Sequence, residues 1–480
     1  MSSISGDTDY IASIKALIHQ IQDNSKDRDS LFELAEIYFA SAPNDQRALR
    51  ICTQQQGTAQ NLLDNANTNT KRAECRKHLK SLQAEYKQEL HRQTAIRLTR
   101  YTLLTDICLK IIALSEGNNW QQTETKSAKL LASLFLLSAA GTKKRQALHK
   151  RYKPLYRVVL ALRLLDKMLV ENAIDNHYIT SRFDCTSRFS AKHGQLSGFQ
   201  RDVAIPVIIA ALVQDIGMQH PEMQGLLKGS DGSRDEFRVL DKGKRSSLLL
   251  MNHEQTAQFI VDGIGIGRFH GETEEQRELF LKRQKNRQKI VQTFLNSAIR
   301  PQNGIGNILK TPHIYASVVL STKPSYQFDD LPKTITMLNN TAHKGAVGMA
   351  ACRCFSQLIG QFPQGFGIVY VEDSQQDEQL DDYFYAIVTR LNPQQIDSPI
   401  CRRITASGEI NTDNQDFAVA PQNNLYYRST KTTIALLGKA KLERLRHAHM
   451  RDLEETKWPE LLEGCWNPHR YFCVNKHQRL

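Results

Sequence analysis

The chain has 480 residues, 40% of them hydrophobic, and its 63 Lys+Arg against 50 Asp+Glu leave a net charge of +13. That length exceeds one ordinary domain and predicts two or three, with enough apolar content for real cores. The charge disfavours basic partners and suits nucleotides, nucleic acid or anionic surfaces, although a solvated basic face accounts for it equally well.

Nine cysteines, at 52, 75, 108, 185, 352, 354, 401, 465 and 473, are scattered without a Cys-x-x-Cys pair. This argues against a disulfide framework or zinc ribbon and for a reducing compartment. Cys352-Arg353-Cys354 is too close-set for a zinc knuckle, so buried free thiols are expected. The polar start, MSSISGDTDY, lacks a signal-peptide core. The longest apolar runs, Leu130 to Ala140 and Ile205 to Val213, are shorter than the roughly 20 residues a bilayer span needs. A soluble, cytoplasmic protein with no membrane span is expected.

From about Ile11 to Ala173 the pattern is helical. Ser30 to Phe39 has apolar residues at helical spacing, and Pro43-Asn44-Asp45 is expected to stop that helix. Thr70 to Arg100 is charged throughout, as in a solvent-laced helix or one that pairs with a partner helix. Tyr101 to Ser115 and Ala128 to Ala140 are apolar and predict a helical pair around a Gly117-Asn118-Asn119 turn. The basic run from Lys143 to Lys153 reads as a solvated helix end, with no nucleic-acid motif beside it. Arg157 to Ala173 is an amphipathic helix that leads into a polar, aromatic loop, 176–200, containing His177 and His193.

Asp202 to Gly217 (DVAIPVIIAALVQDIG) is apolar on all sides, so it belongs in a domain centre and delivers Asp215 at its end. Pro206 fits if the helix starts near Asp202. Next come a polar segment from Met218 to Asp241, a helix from Lys244 to Ile260 bearing His253, and a Gly263-x-Gly265-x-Gly267 run with no preceding strand, which carries little weight as a phosphate loop. Helices are expected at 290–299, 313–321 and 344–360. The period then changes: Gly367 to Val371, Tyr383 to Val388 and Ile400 to Thr405 read as strands, followed by a polar linker, 407–424, a basic helix, 430–453, and an aromatic tail.

Leu212-Val213-Gln214-Asp215-Ile216-Gly217 resembles the Leu-Leu-His-Asp-Ile-Gly signature of HD-superfamily metal phosphohydrolases, with Gln214 in place of the His. From about Phe183 to Thr405, nearly half its length, the chain resembles the HD-GYP branch, whose members hydrolyse cyclic di-GMP on an all-helical core holding two or three iron or similar metals. Gln214-Asp215 matches the first landmark and His253 the lone His of the next helix. Asn303-Gly304-Ile305-Gly306-Asn307-Ile308 falls on the GYP loop with both glycines kept, which a positive φ at each would explain. Counting back puts Ala298, Ile299 and Arg300 on the His-His-Glu positions. The strands and the Asn392-Pro393 turn match the family's β-rich tail.

A two-metal phosphodiesterase site needs enough His and carboxylate ligands to hold both ions and acidify a bridging water. Here Asp215 and His253, with His193 or His177 as a third candidate, would hold at most one iron or manganese weakly, and Arg300 would repel a cation; the expectation is no cofactor. On the other side, His253 on an apolar helix is more often a hydrogen-bonded core histidine.

The resulting expectation is a mainly α protein with an HD-like helical core. Its divisions would be a helical region 1–160 for dimerisation or partner binding, a degenerate HD-GYP-like domain 161–365, a small β extension 366–406, and a polar linker with a basic C-terminal helix and tail, 407–480. Its function would be that of a non-catalytic regulatory or interaction protein, a pseudoenzyme in bacterial cyclic di-GMP or related signalling, with cyclic di-GMP itself still a candidate ligand. The alternatives are an active phosphohydrolase with an atypical site and a basic nucleic-acid-associated protein.

Overall fold

The computed structural model describes residues 8–23, 25–138, 142–189, 194–229, 231–302, 304–371, 384–404, 415–437, 464–466 and 468. His193, Asn303, Cys473 and the basic segment beyond Leu437 lie outside the described residues. The fold is mainly α with a small β part near the C-terminus. Its helices in chain order are α1 (Asp9–Ile21), α2 (Leu31–Asp64), α3 (Asn69–Ser115), α4 (Trp120–Leu137), α5 (Thr142–Val170), α6 (His177–Thr180), α7 (Ile205–Val213), α8 (Pro221–Lys228), α9 (Lys242–Gln258), α10 (Glu274–Ile299), α11 (Asn307–Val319), α12 (Thr334–His343), α13 (Met349–Ile359) and α14 (Arg428–Leu437). The strands are β1 (Gly367–Tyr370), β2 (Phe384–Val388), β3 (Ile400–Arg403), β4 (Phe417–Ala418) and β5 (Cys465–Trp466).

Contacts gather the chain into two compact units, which cut across the linear division read from the sequence. One comprises Met1–Ile18, Leu109–Leu212 and Thr293–Leu480; the other comprises His19–Cys108 and Val213–Gln292.

In the first unit α5 is the central helix and packs against α4, α11 and α13. Leu155, Tyr156, Val158, Val159, Leu160, Ala161, Leu162, Leu164 and Leu165 are all fully buried. The helix is therefore enclosed on every side along this stretch rather than amphipathic. The basic run at its start is not simply solvated: His149 is buried and Arg145 lies over the Tyr326 ring at 4.6 Å. The antiparallel sheet has the order β4-β3-β2-β1-β5. β1 and β2 pair from Gly367 opposite Ile387 to Tyr370 opposite Phe384. Just before β1, Phe366 stacks on Phe328 with ring centroids 4.6 Å apart.

In the second unit, α2 starts at a capping box, in which Ser30 Oγ accepts from the Glu33 N–H and the Glu33 carboxylate accepts from the Ser30 N–H. The helix does not stop at Pro43 but runs through it to Asp64. An interior proline costs about 3 kcal/mol. Tyr38 and Phe39 are buried before it, and Ala59, Leu79 and Leu82 form a small core with α3 after it, so packing on both sides outweighs that cost. The charged stretch of α3 thus pairs with α2, and Arg92 reaches Asp45 at 2.6 Å. The Gly263–Gly267 segment is clasped by arginines instead of presenting free backbone. Arg100 Nε donates to the Gly263 carbonyl at 2.7 Å, and Arg97 donates to those of Ile264 and Ile266.

Among the described residues one stretch, Gln200–Gln219, has the length and hydropathy of a membrane span, but 67% of it is buried inside the protein, as befits a core helix. A turn of wider π-helix, Gln200–Ala204, precedes α7, so Pro206 is the second residue of the α-helix proper.

Candidate functional site

The Gln214–Gly217 turn, at the end of α7, is built by close packing on α9. Asn252 Nδ2 donates to the Gln214 carbonyl at 2.8 Å, and the Gly217 N–H donates to Thr256 Oγ1 at 3.1 Å. A Cβ on Gly217 would lie 2.3 Å from the Asn252 carbonyl oxygen, so only glycine lets the two backbones approach. Asp215 heads the short 3-10 turn Ile216–Gln219 and is half-buried. His253 is half-buried on α9, next to Asn252. All of these residues belong to the second unit.

The other positions of the resemblance lie in the first unit. Ala298 is half-buried at the end of α10, and Ile299 and Arg300 are exposed. The following loop is stapled by Asn307, itself buried. Its Nδ2 donates to the carbonyls of Gln302 and Gly304 at 2.7 and 2.9 Å, and its Oδ1 accepts from the Gly348 N–H at 2.7 Å. The reason for glycine here differs from the expected one. Neither Gly304 nor Gly306 has a positive φ; among the described residues of the loop it is Gln302 that is left-handed, at φ 40°. Gly306 is required instead because a Cβ would lie 2.1 Å from the Ser297 carbonyl oxygen. Among the described residues, no three His, Cys, Asp or Glu side chains converge as a metal site would need. His177 is exposed at the start of α6.

A second constellation, unforeseen in the sequence, lies wholly in the first unit. Glu116, Arg163, Asp166 and Arg188 form a buried ion network, none of the four side chains more than 5% exposed. Arg163 and Arg188 both donate to Glu116 Oε1 at 2.7 Å, Arg188 Nε donates to Asp166 at 2.7 Å, and Gln200 Nε2 donates to Glu116 Oε2 at 2.7 Å. Burial alone would raise the Glu116 carboxyl, but the charges of Arg188 and Arg163 and the hydrogen bonds from Arg188 and Gln200 outweigh it and hold it down at about 2. Two positive and two negative groups cancel, which is how four charges tolerate burial. Arg188 also lies over the rings of Phe189 and Phe199 at 4.6 and 4.7 Å, both in the segment after α6, and its ion pair with Asp166 ties that segment to α5.

Beside this network opens a pocket of about 360 Å³, within the roughly 300–1,000 Å³ usual for small-molecule sites. Trp120, Val170, Leu358 and Leu391 give its apolar wall, and Glu124, Arg163, Lys167 and Asn392 its polar groups. Trp120 Nε1 donates to the Cys185 carbonyl at 3.1 Å, so its ring presents only apolar surface to the cavity. Burial pushes the Glu124 carboxyl up, against the hydrogen bond from Asn392 and the charges of Arg390, Lys167 and Arg163. One signal for this region was present in the sequence: Arg163 and Asp166 stand three apart within the apolar run of α5, where charges are admitted only if paired.

No protein-family model, no curated protein and no solved structure matches this chain.

Proposed function

We propose that this is a catalytically impaired HD-GYP-like protein that acts by binding and regulation in bacterial cyclic di-GMP or related nucleotide signalling. The observation that carries the reading is the contrast at the 214–217 turn. The turn that carries Asp215 is held firmly on α9, through Asn252, Thr256 and the Gly217 contact, while Gln214 stands where the resemblance would put a metal-ligating His. Gln offers a weak neutral oxygen in place of an imidazole nitrogen, and Ala298 and Ile299 offer no ligand atom at all. The helical N-terminal region serves as its arm for a protein partner or a second copy.

The test is a hydrolysis assay on cyclic di-GMP with iron or manganese added to saturation. No turnover above the protein-free blank is the expected result; chelator-sensitive turnover overturns the reading.

A further inference from the structure

We infer that the pocket beside the buried ion network binds a small zwitterion with an apolar body, of the size and chemistry of a free apolar α-amino acid. Most of its wall is hydrocarbon, from Trp120, Leu358 and Leu391, and wants a ligand body that is apolar or aromatic. A sugar or a nucleoside ribose would leave hydroxyls unpaired against that wall.

The polar groups then fix the head of the ligand. Lys167 supplies an ammonium whose carboxylate partner, Glu171, is 42% exposed and easily exchanged for a ligand anion. Glu124 supplies a carboxyl that burial disfavours as an anion, so a ligand ammonium beside it relieves the penalty. A phosphate dianion would meet the same carboxyl and be repelled. Behind the wall, two polar atoms of lining residues, the acceptor Asn392 Oδ1 and the donor Arg163 Nε, are buried without hydrogen-bond partners. Of the charged groups that line the cavity, Lys167 and Glu124 are of opposite sign, as a zwitterion requires. Asn392 also holds a left-handed backbone, φ 51°, which a non-glycine residue adopts at a cost, and its side chain hydrogen-bonds Glu124. The floor is rigid, since Arg163 is fixed in the ion network from behind, so the site is preformed.

This inference does not rest on the HD-GYP-like reading, and its test keeps the two apart. The full chain is titrated calorimetrically with L-phenylalanine and L-leucine, and with 3-phenylpropionate and phenethylamine, which each carry one half of the head. At least one amino acid binds saturably, and each half-ligand binds at least tenfold more weakly than L-phenylalanine. Glu124→Gln and Lys167→Met each weaken binding at least tenfold with unchanged circular-dichroism melting, and Asp215→Ala leaves it unaltered. No heat from either amino acid, equal affinity for a half-ligand, or affinity untouched by both pocket substitutions overturns the proposal.

Discussion

Gly306 lies so close to Ser297 that a Cβ on it would sit 2.1 Å from the Ser297 carbonyl oxygen and 2.5 Å from the Ala298 nitrogen. The loop that follows α10 therefore folds back onto the last turn of that helix with backbone against backbone. Gly306→Ala must push these chains apart, and overpacking of this kind costs about 1–3 kcal/mol. Gly304→Ala is the control: it is exposed, and its Cβ would stand 3.2 Å from the Pro301 carbonyl oxygen. Urea midpoints separate the two, with a large fall for position 306 and a small one for 304; equal falls would contradict the account.

Asn307 holds the same loop through three hydrogen bonds, two as donor and one as acceptor. Asn307→Asp keeps the acceptor and the shape but turns both donor contacts into repulsion between oxygens, and it buries a charge. It is expected to destabilise more than Asn307→Ala, which costs about 1–3 kcal/mol for the backbone groups left unpaired. Thermal melts of the two variants check the order.

Glu116 gives the first unit a dependence on acid. Its carboxyl is held at about 2 in the folded protein against an ordinary 4.5. A carboxyl lowered on folding contributes stability fully above its unfolded value and loses it as pH falls through the folded one. Denaturant midpoints should thus fall between pH 4.5 and 2, by an amount on the order of 3 kcal/mol. Glu116→Gln removes this slope and lowers stability at pH 7 by about 3–5 kcal/mol, because Arg163 and Arg188 then share a single carboxylate. A variant as stable as the parent at pH 7 would mean that the network contributes nothing.

Pro43 sits inside α2, where it withholds an N–H from the helix ladder. Pro43→Ala restores that hydrogen bond, worth part of the roughly 3 kcal/mol penalty, and gives back up to about 1 kcal/mol through the looser unfolded chain. A net gain in melting temperature is expected, with slower hydrogen exchange on either side of position 43.

Much of the architecture could be read from spacing. The helical character from α1 to α5, the Gly117–Asn119 turn and the strands β1 to β3 follow from period and punctuation, but the length of α2 does not. What escaped was set by contacts between distant residues. Pro43 is a local stop signal that packing overrides. α12, over Thr334–His343, is rich in Thr and Asn, poor helix formers, and is held by burial of Ile335, Leu338 and Ala342. β4 and β5 have two residues each and exist only because β3 and β1 offer edges to pair with. At the candidate sites, Asp215 and the two loop glycines could be singled out as landmarks, but Gly306 is explained by the approach of Ser297, a contact that no periodicity reports. The partnership of Glu116 with Arg188, 72 residues apart, was equally invisible, although the paired charges in α5 marked one side of it.

The most direct measurement is a titration of the purified chain with iron and with manganese, followed by desalting and elemental analysis. The account predicts fewer than one tightly held metal per chain, unchanged by Asp215→Ala. Two metals per chain, lost on Asp215→Ala, would contradict it and make this protein a binuclear metalloenzyme.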